Sequence, residues 1–401
     1  MSDAKRGRVI RALGRGVRDG WLMLGLSLVL VLVLNAVLKE VIPRFSGETV
    51  VAGADSPRVK NADTFDGKPW ADAYHGDFKS ARQVRWEPYV YWRRQPHESG
   101  LVNVDRGGLR RTYNPPPTDH DLSIWVLGGS TTWGSGSRDD FTIPSLLSKG
   151  LESRGIPAQV TNLGETGYVG TQELIFLMRQ LQQGRRPDLV IFYDGVNDVF
   201  SALQAGRPGI PQNEQRRRRE FQTSSKFERW ALVSLRRLEG FTRLTARVRG
   251  SGAADAATGA TAVVDDLAGQ VVGSYLEIVR MASGLGQVYG FETLHFWQPA
   301  IFTKRVLSSF EQRIVDGSLR AHRELHLQVN GRVAASADLQ GAPSFHDLTA
   351  LLDDLAEPIY LDFCHTSERA NGIVAEAMLE EVVNAAGVAA VLRPSIPARA
   401  P

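Results

Sequence analysis

The chain has 401 residues, 43% of them apolar, and a formal net charge of +3. That length and apolar fraction exclude a disordered or fibrous chain and leave room for one or two globular units. A single cysteine, Cys364, excludes an intrachain disulfide framework, and so small a net charge gives no reason to expect nucleic-acid binding.

At the N-terminus Lys5, Arg6, Arg8, Arg11, Arg15 and Arg18 precede an apolar run from Trp21 to Leu38. The run is close to the roughly 20 residues that cross a bilayer core, and it does not end in the small residues of a cleavage site. An uncleaved signal anchor over 21–42 is expected, behind a basic cytoplasmic stretch at 1–20; a cleaved signal peptide is the competing reading. The positive-inside rule then sends the rest of the chain across the membrane, into the periplasm of a Gram-negative cell.

Residues 43–120 read as a linker and an irregular or short-stranded accessory segment, closed by Pro115 to Pro117. A regular alternation follows over 121–390. Strands are expected at Ile124 to Leu127, Ala158 to Asn162, Asp188 to Gly195 and within "FETLHFWQP". Helices are expected at Pro144 to Arg154, Thr171 to Gln183, Ala262 to Gly284, Ser309 to Val329 and Ala370 to Ala386. Strands alternating with helices imply βαβ units and a doubly wound parallel sheet. The pattern breaks at about 201–260, where Ser201 to Gly250 holds 11 Arg and one Lys against four Glu. Part of this insertion can form a helix with Phe227, Trp230, Ala231, Leu235, Leu238 and Phe241 on one face, as a surface helix, a lid or a lipid-facing element. Residues 391–401 form a tail.

Chemistry concentrates at strand ends. "WVLGGSTTWGSG" places Ser130 just past a predicted buried strand, where ligands gather in open α/β sheets. A serine nucleophile also needs a base and donors for an oxyanion. "YLDFCHTSERANG" places Asp362 three residues before His365, a spacing with which a carboxylate can hold an imidazole in one tautomer. "NLGETGYVG" offers Gly167, whose bare amide can approach a ligand, and "DGVND" offers the Asn197 side-chain amide as a donor. Each of these is by itself also an ordinary turn residue.

Together, "VLGGSTTWG", "NLGETGYVG", "DGVND" and "DFCH" resemble, in order and position, the four blocks of the SGNH hydrolases, also called the GDSL esterase/lipase superfamily. The likeness covers Ser123 to about Val388. It implies Ser130 as nucleophile, His365 as general base, Asp362 as its orienting partner, and an oxyanion hole from Ser130 N–H, Gly167 N–H and the Asn197 side chain. It also implies a three-layer α/β/α sandwich around a parallel sheet, with no metal or other cofactor. Gly129 stands where the family's name motif expects Asp; that Asp is not one of the four catalytic groups, so the triad is left in place.

The expected activity is that of a membrane-anchored extracytoplasmic serine esterase cleaving an O-acyl ester, such as an O-acetyl ester, through an acyl-enzyme. Acylated polysaccharide, peptidoglycan-like material and lipid are the substrate classes that this location suggests. An O-acyltransferase results if a sugar hydroxyl outcompetes water. Other classes are a non-catalytic tethered binding module, and a metal-dependent phosphatase or nuclease built on Asp194, Asp198, Asp362 and His365. His346 and Asp347 form a second His/acid pair able to supply the base.

Overall fold

Five short runs rich in β-branched and aromatic residues form one wholly parallel sheet in the order β4-β3-β5-β6-β7. The strands are β3 (Leu122–Gly128), β4 (Ala158–Asn162), β5 (Leu189–Asp194), β6 (Glu292–Trp297) and β7 (Phe345–Asp347). β5 is buried at every position, as a central parallel strand covered on both faces must be. A separate antiparallel hairpin, β1 (Val84–Glu87) and β2 (Tyr91–Arg94), precedes the sheet.

This computed structural model describes residues 20–34, 63–118, 121–222 and 260–392. They fall in two units, Met1–Thr49 with Arg216–Ala260, and Val50–Gln215 with Thr261–Pro401. In the first, residues 20–34 are helical and expose Trp21, Leu24 and Leu30. Among the described residues no helix is long and apolar enough to cross a membrane. Residues 35–42 of the expected anchor lie outside the described residues, as do 1–19, the Phe227 to Phe241 face of the insertion and 393–401.

In the second unit successive strand residues point to opposite faces, and both faces are covered. Ile124, Val126, Ile191 and Phe296 pack with Leu147 and Leu151 of helix α3 (Ile143–Ser153) and Met378 and Leu379 of α9 (Glu368–Leu392). Trp125, Leu127, Val190 and Phe192 pack with Phe176, Leu177 and Leu181 of α4 (Gly170–Gln182) and with Ala282 of α6 (Ala260–Tyr289). The result is the expected α/β/α layering. Each fully buried aliphatic side chain contributes roughly 1.5–3 kcal/mol.

Local chemistry sets the helix ends. Thr142 caps α3 by accepting from Ser145 N–H, and Pro144 occupies its first turn, where a missing N–H costs nothing. The single helix expected from Ser309 to Val329 is instead two, α7 (Ser309–Asp316) and α8 (Arg320–Ala335), broken at Gly317 and Ser318. Strand β7 was not anticipated. The accessory segment is more regular than its sequence suggests: it contains α1 (Ala71–Ala81) and the β1–β2 hairpin, within the same unit as the sheet.

Candidate active site

The chain runs from β3 to β4 on one side and then returns to β5 on the other. The switch point of the sheet, where doubly wound sheets bind ligands, therefore falls at the carboxyl ends of β3 and β5. Ser130 follows β3 as the first residue of α2 (Ser130–Trp133), Gly167 follows β4, and Asn197 stands in the first turn of α5 (Val196–Ala205) after β5.

The structure brings Ser130, His365 and Asp362 into one hydrogen-bonded line. His365 Nε2 lies 2.7 Å from Ser130 Oγ, and His365 Nδ1 lies 2.6 Å from Asp362 Oδ2. Asp362 Oδ1 also accepts the N–H groups of Cys364 at 3.0 Å and His365 at 2.8 Å. Asp362 and His365 are buried. The carboxylate thus holds Nδ1–H and leaves the Nε2 lone pair facing the hydroxyl, the tautomer a general base requires. Two ties fix this separation: Arg138 pairs with Glu368 at 2.7 Å, and Asn371 Nδ2 donates to Ser137 Oγ at 2.7 Å.

Three donors stand at the ends of the adjacent strands β3, β4 and β5. Among the described residues, the Ser130 N–H, the Gly167 N–H and the Asn197 Nδ2 group make no intramolecular hydrogen bond. Gly167 has φ +75°, a conformation L side chains rarely adopt, and this directs its amide. Gln212 Nε2 donates to Asn197 Oδ1 at 3.3 Å, which leaves Nδ2 as the free end of that amide. Gly129 leaves room for this amide: a Cβ on it would stand 2.1 Å from Asn197 Nδ2, so a larger residue there would make the Asn197 side chain shift. Sequence reasoning found the departure at Gly129 but not its cause, and Gln212, in a loop with no motif, gave no signal.

The other candidate groupings do not assemble. His346 stacks on Phe296 and places Nδ1 3.6 Å from Glu381 at the β7 edge, so His365 is the imidazole at Ser130. Asp362 and His365 gather with Cys364, whereas Asp194 and Asp198 join no such group with them among the described residues. Asp194 and Asp198 are buried with Glu173. Burial pushes the Glu173 carboxyl well up, and the neighbouring Asp194 adds to the shift. Burial, followed by the nearby Asp194 charge, raises Asp198 to about 7, against the opposing hydrogen bond from Gly170 N–H at 3.1 Å.

No family model and no curated protein sequence matches the chain. Among solved structures it is similar to the acetyl xylan esterase AlAXEase, at 16% identity and a TM-score of 0.37, over 65% of this chain and 100% of that one. It is similar to a carbohydrate acetylesterase family member from Sinorhizobium meliloti, at 18% identity and a TM-score of 0.34, over 66% and 97%. A member of the lipolytic protein G-D-S-L family from Veillonella parvula is similar at 12% identity and a TM-score of 0.34, over 65% and 97%. These scores are low, and the chemistry rests on the side chains themselves.

Two outcomes follow from this geometry. Gly129→Ala should displace the Asn197 amide and lower kcat for p-nitrophenyl acetate by about 100-fold, the effect of losing one oxyanion donor, with KM nearly unchanged. An unaltered kcat would remove Asn197 from the hole. An acid whose folded pKa is raised stabilises the fold below its unfolded pKa and loses that contribution as pH rises toward the folded value. Asp198→Asn cannot ionise and still accepts from Gly170, so its melting temperature should fall less than that of the wild type between about pH 4 and about pH 7. Parallel melting curves would contradict the buried neutral acid.

Proposed function

We propose that this protein is a serine esterase of the SGNH type that cleaves an O-acyl ester through an acyl-enzyme. The observation that carries the reading is the Ser130–His365–Asp362 line, with three uncommitted donors at the ends of the adjacent strands β3, β4 and β5. Ser130 Oγ attacks the ester carbonyl as His365 Nε2 takes its proton, and Asp362 stabilises the imidazolium. The carbonyl oxygen, now negative, is received by the Ser130 and Gly167 amides and the Asn197 Nδ2. His365 returns the proton to the departing alcohol, and a water activated by the same imidazole then releases the acid and frees Ser130. No step needs a cofactor.

An acylated polysaccharide of the cell envelope is the substrate class we favour, on the membrane-proximal location that the N-terminus suggests. The six basic residues before Trp21 and the exposed apolar side chains of helical residues 20–34 support a single-pass anchor with the catalytic unit outside the cytoplasm. Transfer to a sugar hydroxyl would use the same acyl-enzyme, and the non-catalytic reading predicts no Ser130 chemistry at all.

The test uses the full-length protein in detergent, with p-nitrophenyl acetate and a fluorophosphonate probe, with and without a soluble sugar acceptor. The wild type should turn over the ester and be labelled at Ser130, and Ser130→Ala should lose about 10⁴-fold or more in kcat and all labelling. Absence of turnover, transfer and labelling in the wild type would overturn the enzyme reading. In membranes of producing cells the chain should resist alkaline extraction and be digested by added protease only from the extracytoplasmic side; release by alkali would overturn the anchor.

A further inference from the structure

The glycine loop after β4 has no sheet ladder of its own, yet the Gly167 amide must be held to a fraction of an ångström to serve an oxyanion. The parts that hold it come from the β1–β2 hairpin, outside the sheet. Arg94 N–H donates to Glu165 Oε2 at 2.9 Å, and Arg94 Nη2 donates to Thr166 Oγ1 at 2.7 Å. Glu165 Oε1 in turn receives Thr166 N–H at 2.7 Å and the Thr166 hydroxyl at 3.2 Å. Trp92 Nε1 donates to the Thr166 carbonyl at 2.9 Å, the peptide group that carries the Gly167 N–H. Arg93 Nη1 donates to the Leu163 carbonyl at 3.0 Å, and the Tyr168 hydroxyl donates to the Trp92 carbonyl. Glu165, Arg93 and Arg94 are all buried.

The Thr166–Gly167 peptide is thus gripped at its carbonyl oxygen and its preceding side chain, while its N–H is left uncommitted. A peptide group is planar, so fixing the carbonyl oxygen fixes the direction of the N–H on the opposite side. Arg94 also lies against the Trp133 ring of α2, with its guanidinium carbon 4.7 Å from the ring centroid. One side chain therefore touches both the loop that carries Gly167 and the turn that carries Ser130.

We propose that the β1–β2 hairpin is a working part of the oxyanion hole, with Trp92, Arg94, Glu165 and Thr166 as positioning residues that aim the Gly167 N–H at the developing oxyanion. The proposal rests on the esterase reading above. These residues serve the transition state and not ground-state binding, because what they orient is a donor that strengthens as charge develops on the carbonyl oxygen.

The test compares Trp92→Phe and Thr166→Val in the full-length protein, since neither leaves a buried charge without its ion partner. Each should lower kcat for p-nitrophenyl acetate by about three- to tenfold, keep KM within about twofold, and weaken phenylboronic acid, which forms a tetrahedral adduct on the serine, by the same factor as kcat. Thr166→Ser, which keeps the hydroxyl, should recover most of the loss. Melting temperatures report folding separately, and Trp92→Phe, which keeps an aromatic ring, carries the test where Thr166→Val unfolds. Folded variants with wild-type kcat, or with the loss confined to KM, would overturn the proposal while wild-type turnover keeps the esterase reading standing. A wild type with neither turnover nor a boronate complex would instead overturn that reading, and the proposal with it.

Discussion

The site depends on a topological constraint: parallel strands all end at one edge, and the order of this sheet reverses between β3 and β5. Adjacent strands lie about 4.8 Å apart, so loops leaving β4, β3 and β5 arrive side by side without long excursions. Gly167, Ser130 and Asn197 are the residues those three loops present. In the reading proposed above, these are the groups that receive the reacting carbonyl oxygen, and the sheet itself sets their spacing. His365 comes from the loop before α9, and its approach is held by Arg138–Glu368 and Asn371–Ser137 rather than by the sheet.

Loops need such ties because their backbone groups lack the regular partners that strands and helices supply. Here the ties are frequently buried ions. Arg110 pairs with Asp139 at 2.6 Å and donates to the Ser137 carbonyl at 2.8 Å, which braces the turn beyond Ser130. Lys304 pairs with Glu311 at 2.6 Å, and Glu311 Oε1 accepts the N–H groups of Ile359 and Tyr360 at 3.0 and 3.1 Å, just ahead of Asp362. A buried pair of this kind gives little net stability, because removing both charges from water costs several kcal/mol. What it does give is direction: each ion has several hydrogen-bonding sites and satisfies them in one arrangement of the loop.

The alternation of strand and helix was legible because burial on both faces demands continuous apolar runs, as in "DLVIFYDG", and because amphipathic helices repeat every three to four residues. The positions of the serine, glycine, asparagine and histidine blocks were legible for the same reason, since each follows a readable element. Strand β7 was not, because Phe345–Asp347 is too short to establish a period. The accessory segment was obscure for a different reason. Arg93 and Arg94 look like solvent-facing charges in "YVYWRRQ", and their partner Glu165 lies 71 residues beyond Arg94. No local pattern distinguishes a buried ion pair of that separation from two exposed ones. Gln212 is invisible on the same grounds, since its partner Asn197 belongs to a motif and it does not.

Gly129 shows how a departure from a familiar motif acquires a physical cause once the neighbours are placed. Sequence alone records only that an expected Asp is missing. In the folded chain the Asn197 amide nitrogen occupies the volume that a Cβ at position 129 would need, while Gln212 holds the oxygen of the same amide from the other end. Steric room on one side and a hydrogen bond on the other define a single orientation, with the nitrogen toward Ser130's turn. A side chain at 129 would require that amide to shift before it could be accommodated. The glycine is thus coupled to Asn197 and Gln212, and a change at any of the three acts on the same donor.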